Sequence, residues 1–203
     1  MILNILKEDY RLIAFALISF YSIEASALGQ LTETKAPDSF RPGHIQVQVG
    51  GFWGTSGKTQ AINIRQNLIG EAIPFDDKSF DYIYLISVFT HLTLEEQKRL
   101  VEEFRRLLRP GGYVYVSFHG EYFYPTMFAR LDDAEKIFER DGFLIEKQQL
   151  EGSNDCFTLH SPESLVRLFA GFELLKHYRS TERGPTDAAA WQDSMIFELC
   201  AQS

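Results

Sequence analysis

Two histidines stand just beyond apolar runs in this 203-residue chain: His91, a few residues after Asp81–Ile86, and His119, directly after Tyr113–Phe118. An imidazole with an ordinary pKa of about 6.5 can take a proton near neutral pH, so both are candidate catalytic bases. Packing or capping of the local loop is the plainer role for each. Glu121, Tyr122 and Tyr124 follow His119 closely and are candidates for lining a substrate pocket. A different chemistry is suggested by Gly54-Thr-Ser-Gly-Lys-Thr59, which ends like a phosphate-binding loop, G-x-x-x-x-G-K-(S/T). The first glycine of that pattern falls on Phe52, and counting from Gly51 leaves one residue too many between the glycines. Asp81 begins its apolar run instead of ending it, so a magnesium-holding carboxylate is missing too. A nucleoside triphosphate is therefore the least favoured ligand.

Other chemistries are disfavoured by composition. Cys156 and Cys200 have no partner at metal-ligand spacing, and the five histidines are dispersed, so no metal is expected. The net charge of −8 argues against a nucleic-acid partner. Lys98, Arg99, Arg105, Arg106 and Arg109 alternate with Glu95, Glu96, Glu102 and Glu103, which reads as a solvated helix face.

The elements that must hold these side chains follow from periodicity. Leu12–Ile23 is nearly unbroken apolar sequence, and the expectation is a buried helix over about Lys7–Ala27. Ala25-Ser26-Ala27 has the form of a cleavage site, but Glu8 and Asp9 offset Lys7 and Arg11, so the positive start of a signal peptide is lacking. The run is also short of the roughly 20 residues that span a bilayer. A cytoplasmic location is expected, with export as the alternative. Residues 29–43 read as a linker, His44–Val49 as a strand, and 60–68 as a short helix or strand. Strands are expected at Asp81–Ser87, Tyr113–Phe118, Phe172–Tyr178 and Ser194–Cys200. Helices are expected at Thr93–Leu108, Asp133–Arg140 and Ser161–Phe169, the first with Thr93 and Glu96 as a capping box. Such alternation means a mainly parallel sheet with helices on its faces.

Three consecutive blocks carry a family resemblance. Ile73-Pro-Phe-Asp-Asp-Lys-Ser-Phe-Asp-Tyr-Ile-Tyr84, Ser87-Val-Phe-Thr-His-Leu92 and Glu103-Phe-Arg-Arg-Leu-Leu-Arg-Pro-Gly-Gly-Tyr113 resemble the approach to the fourth strand, its end, and the turn into the fifth strand of class I S-adenosylmethionine-dependent methyltransferases. Leu159-His-Ser-Pro-Glu163, Gly171-Phe-Glu-Leu-Leu175 and Gln192-Asp193 resemble the closing segments of a subset of them. The resemblance implies an α/β, three-layer, Rossmann-like sheet, mainly parallel with an antiparallel last strand. It implies S-adenosylmethionine as cofactor, with Asn67 at the adenine and Ser87, Val88 and Phe89 along the methionine portion. It also implies a small-molecule or sugar-type methyl acceptor.

The family's glycine loop, E/D-x-G-x-G-x-G, belongs near Ser19–Leu28, where there is no glycine. The turn at 49–57 lies only about one strand-helix unit before Asp81. The N-terminal part is therefore expected to be incomplete or atypical, with residues 1–42 a helix and linker and 43–203 the methyltransferase-like domain. An inactive domain serving as an interaction module is the alternative. An incomplete sheet would leave the fourth strand's edge open, inviting a homodimer or cover by the N-terminal helix.

Overall fold

The computed structural model describes residues 70–153, 155–180 and 191–200, together with the backbone of three earlier strands. Those strands are β1 (Leu12–Ala16), β2 (His44–Val49) and β3 (Asn63–Leu68). There follow β4 (Phe80–Ile86), α1 (Leu94–Leu107), β5 (Leu108–Phe118), α2 (Tyr124–Phe128), α3 (Ala134–Asp141), β6 (Phe143–Glu146), β7 (Phe157–His160), α4 (Pro162–Leu168), β8 (Phe172–Tyr178) and β9 (Asp193–Leu199). Seven strands form one sheet in the order β3-β2-β1-β4-β5-β9-β8, and β6 pairs with β7 in a separate hairpin. β4 lies parallel to both β1 and β5, while β9 runs antiparallel to β5 and β8. The fold is Rossmann-like α/β with a reversed closing strand, as expected, but the sheet is mixed and not mainly parallel. β4 alone has parallel neighbours, β1 and β5, and the other pairings are antiparallel because β2 as well as β9 is reversed.

The N-terminal region corrects the sequence reading. Leu12–Ala16 is a strand, not part of a helix, and it pairs along β4 from Leu12↔Tyr82 to Ala16↔Ile86. A short apolar run has no periodicity to separate a buried strand from a buried helix, and here an available strand edge decides. The edge of β4 is consequently not open, which removes the ground for expecting a homodimer through it. β2 runs antiparallel to β1 and to β3, so a reversed strand stands between them. Residues 17–43 and the glycine turn with Lys58 lie outside the described residues.

The shared sequence blocks have a structural purpose. Glu103 accepts the Ile73 amide at 2.8 Å, and Arg106 donates to the carbonyls of Ile73 and Phe75. The Glu-x-x-Arg pair of α1 thus fastens the extended Ile73-Pro-Phe75 segment that leads into β4. Arg106 holds the Glu103 carboxyl below its usual range, chiefly by hydrogen bonding. Arg109 grips both oxygens of Asp81 at the start of β4. The cap of α1 departs from the expected box. Thr93 does accept the Glu96 amide, but the Glu96 carboxylate turns to Arg99 and Gly70, and Glu151 takes the Thr93 amide.

The main core lies between the sheet and helices α1 and α4. Ile83, Leu85, Val114, Val116 and Phe197 meet Leu100, Phe104, Leu107, Leu165 and Phe169, all essentially without solvent exposure. A second cluster, Met127, Ala134, Phe138, Leu144 and Leu159, unites α2 and α3 with the β6–β7 hairpin. Among the described residues no helix is long and apolar enough to cross a membrane. Because β1 is an inner strand, deleting residues 1–30 would expose the backbone edges of β2 and β4. The truncated chain should aggregate on size-exclusion chromatography; a monomeric product of unchanged thermal midpoint would contradict this placement.

Candidate functional site

β1, β4 and β5 are the parallel strands of the sheet, and ligands of open α/β sheets bind beyond the carboxyl ends of such strands. The relevant ends are Ala16 and Ile86, which are register partners. Ile86 is 41 % exposed. Ser87 follows it in a left-handed conformation (φ 53°), so the chain leaves the sheet abruptly. Its amide donates to Ser117 Oγ at 2.9 Å. Ser117 Oγ donates to Gln192 Oε1 at 2.6 Å, and Gln192 Nε2 donates to Ser87 Oγ at 2.8 Å. Three side chains thereby close a ring across the ends of β4, β5 and β9.

Beyond Ser87 the chain makes a single 3₁₀ turn over Phe89–His91. Val88 and Phe89 are fully buried, the latter packing on Phe104 and Phe169. Burying such a ring is worth roughly 2–3 kcal/mol. These two residues therefore offer only main chain to a ligand. Asn67 is near the end of the edge strand β3, paired with Ile45. The registers Val47↔Phe15 and Ala16↔Ile86 place it at the same end of the sheet as Ser87, three strands and about 14 Å away.

The structure brings His91 and His119 together, with ring centroids 6.3 Å apart, but buries both. His91 Nδ1 lies 2.8 Å from the Cys156 carbonyl and His119 Nδ1 lies 3.0 Å from that of Thr158. A carbonyl can only accept, so each Nδ1 carries the proton. Burial pushes His91 below the ordinary imidazole value and His119 down to about 3. A base as weak as His119 does not take a proton at neutral pH. Its ring is instead the centre of an aromatic stack, 3.9 Å from Phe157 and 4.3 Å from Phe123.

The remaining expected pocket residues separate. Tyr122 is exposed and Glu121 half-buried, near Arg179. Tyr124 turns inward: its hydroxyl donates to the His160 carbonyl and its ring packs on Phe138. Desolvation raises its pKa. It packs, partly buried, against the second core.

Several residues at this edge were not singled out from sequence. Gln97 Nε2 donates to the carbonyls of Phe89 and Leu92, so its Oε1 faces His160 Nε2 at 2.8 Å and must accept from it. Thr158 Oγ1 also donates to the Phe89 carbonyl. Buried Asp193 accepts the Ser180 amide and lies 3.0 Å from His177 Nε2. It fills the space above Gly120, where a Cβ would come within 2.6 Å of its carboxyl carbon. The signals available were Gln192-Asp193 and His160-Ser161, both in resemblance blocks; nothing local marks Gln97 or Thr158.

Residues 54–116 match the family model described as "Methyltransferase domain". The match covers less than a third of the chain. Solved structures with a similar arrangement include an S-adenosylmethionine-dependent methyltransferase from Methanosarcina mazei, at 18 % identity over 64 % of each chain, TM-score 0.48. Another is a protein from Pyrococcus horikoshii, at 18 % identity over 64 % of this chain and 57 % of that one, TM-score 0.42. A third is the 1,6-didemethyltoxoflavin N1-methyltransferase of Burkholderia thailandensis, at 14 % identity over 63 % and 48 %, TM-score 0.43. The chain spans about half to two thirds of the length of these proteins.

The buried imidazoles make stability depend on pH. His119 and His160 are both held near 3 by burial, whereas in the unfolded chain they protonate below about 6.5. The unfolded state then binds more protons across that window, so stability is full above about 6.5 and falls as pH drops toward 3. The slope approaches about 1.4 kcal/mol per pH unit for each histidine. Urea unfolding between pH 7.5 and 5 should show it, and His160→Gln should flatten it. Equal stability at both ends would refute the burial.

Proposed function

We propose that the chain transfers a methyl group from S-adenosylmethionine to a small-molecule acceptor at the carboxyl edge of β4 and β5. The observation that carries this reading is the Ser87–Ser117–Gln192 ring. It fixes the exit from β4, which lies in the segment that matches the methyltransferase-domain model. The described residues leave room for such a cofactor, because the end of β4 is open at Ile86 and the left-handed turn at Ser87 takes the chain away from the sheet, while the family's glycine loop has no counterpart in the sequence after β1. When bound, the sulfonium supplies a methyl carbon to the acceptor's lone pair while sulfur keeps the electrons of the broken bond.

The chain's own part in this reading is alignment, which supplies much of the acceleration when the leaving group is already good. Ser87 and the main chain of Val88 and Phe89 border the methionine portion, and Asn67 lies along the same edge toward the adenine. Glu121 and Tyr122 border the acceptor. His91 and His119 act as positioning groups: their Nδ1–H bonds fasten the turn after β4 and the end of β5 to the segment 156–158. A general base is required only for an acceptor that loses a proton before transfer.

Calorimetric titration of the full chain with S-adenosylmethionine should give saturable one-to-one binding. Gln192→Ala removes two hydrogen bonds of the ring, each worth about 1 kcal/mol net. It should weaken cofactor binding by roughly fivefold or more. Absence of binding to the intact chain at millimolar cofactor would sink the enzymatic reading and leave a scaffold of this fold acting as an interaction module.

A further inference from the structure

Two large rings stand in water at the mouth of this edge. Trp191 is 64 % exposed and Tyr122 is 52 % exposed. A single exposed aromatic residue needs no explanation. These two, however, lie parallel to within 4° with centroids 6.3 Å apart, although they come from segments separated by most of the C-terminal half.

Both rings adjoin residues that are held in place. Trp191 directly precedes Gln192, which is bound to Ser87 and Ser117, and Asp193, which is buried and held by Ser180. Tyr122 meets Phe123 edge to face at 5.2 Å. Phe123 in turn packs on His119 and Phe157, so the buried stack is the footing of the exposed ring. Rings with few rotatable bonds, fixed before binding, lose little entropy when a ligand adds to them. The flank of the pair is polar, with Glu121 and Arg179 4.0 Å apart.

Resting on the methyl-transfer reading above, we propose that Tyr122 and Trp191 form a stacking platform for a planar aromatic ring. The methyl acceptor is then a flat aromatic compound bearing a hydroxyl or amine, not a sugar. Flat faces match flat faces: stacking of an aromatic ring on Trp or Tyr adds to its area burial, whereas a saturated ring of equal size gains the area alone. The position agrees, because Trp191 is one residue from the side chain that holds Ser87. In the transfer, a bond forms from the acceptor oxygen or nitrogen to the methyl carbon. The sulfur–carbon bond breaks with its pair on sulfur, and the acceptor's proton passes to water.

Calorimetry on the full chain with S-adenosylhomocysteine present would test this with three probes: 1-naphthol, cyclohexanol and methyl β-glucoside. The expected result is 1-naphthol bound at least tenfold tighter than cyclohexanol, with that preference lost in Trp191→Ala and kept within threefold in Trp191→Phe. Thermal midpoints of the variants report whether they fold. Equal affinity for naphthol and cyclohexanol, undiminished naphthol binding by Trp191→Ala, or tighter binding of the glucoside would each overturn the proposal. So would a wild-type dimer that Trp191→Ala converts to monomer, since a second copy would then be what covers the rings. Cofactor binding titrated separately keeps the two readings apart. Naphthol preference without S-adenosylmethionine binding sinks methyl transfer alone; cofactor binding without naphthol preference sinks the platform alone.

Discussion

A strand end is a place where backbone groups run out of partners. At Ser87 the chain turns left-handed, and its amide would be stranded there had β5 not placed the Ser117 hydroxyl within 2.9 Å. Leaving such a donor unsatisfied costs about 1–3 kcal/mol, and a left-handed serine adds about another kcal/mol or more. The Ser117 and Gln192 side chains make that conformation tolerable. The geometry of the whole carboxyl edge depends on it: the turn at Phe89–His91, the start of α1, and the spacing between the ends of β4 and β5.

Behind that edge a second set of bonds holds the turn from below. Gln97 reaches back from α1 to two carbonyls, and His160 reaches across from β7 to hold Gln97. The tautomer follows without freedom. Gln97 spends its amide hydrogens on the carbonyls, so His160 must donate from Nε2 and accept at Nδ1, where Ser164 Oγ lies at 2.9 Å. A neutral imidazole with both nitrogens engaged is what complete burial permits, and it agrees with the low pKa. Polar networks of this kind specify one arrangement of a loop where apolar packing alone would tolerate several.

The parts of this fold that were legible in the sequence are those whose signal is local. The Ser79-Phe80-Asp81 approach, the Thr93 cap and the Ser161-Pro162 helix start all act within a few residues, and their elements lie where the signals put them, whereas Pro110-Gly111-Gly112, expected as a turn before a strand at Tyr113, lies inside β5 at an irregularity in its pairing with β4. The N-terminal strand was not legible, because Leu12–Ala16 takes its conformation from a partner some 70 residues away. The candidate site was legible by position only. His91 and His119 do fall at strand ends, but whether a histidine there faces water or the core depends on Phe157, Thr158 and Cys156, which arrive from a hairpin with no periodic pattern of its own. The inward turn of Tyr124 was not legible for the same reason, since α2 packs on a second core that no single stretch announces.

The direction of the last strand has a consequence for how such a sheet holds its carboxyl edge. Strands running with β4 present their trailing residues at the carboxyl edge, and the chain must then leave through a loop that competes for the same space. β9 runs the other way, so it contributes its leading residues there, Gln192 and Asp193, and then departs toward the opposite rim. Its entry is therefore tied into the edge, since Gln192 holds Ser87 and Ser117 and Asp193 holds the Ser180 amide. A reversed closing strand thus works as a clasp, fastening from outside the rim that its parallel neighbours leave open.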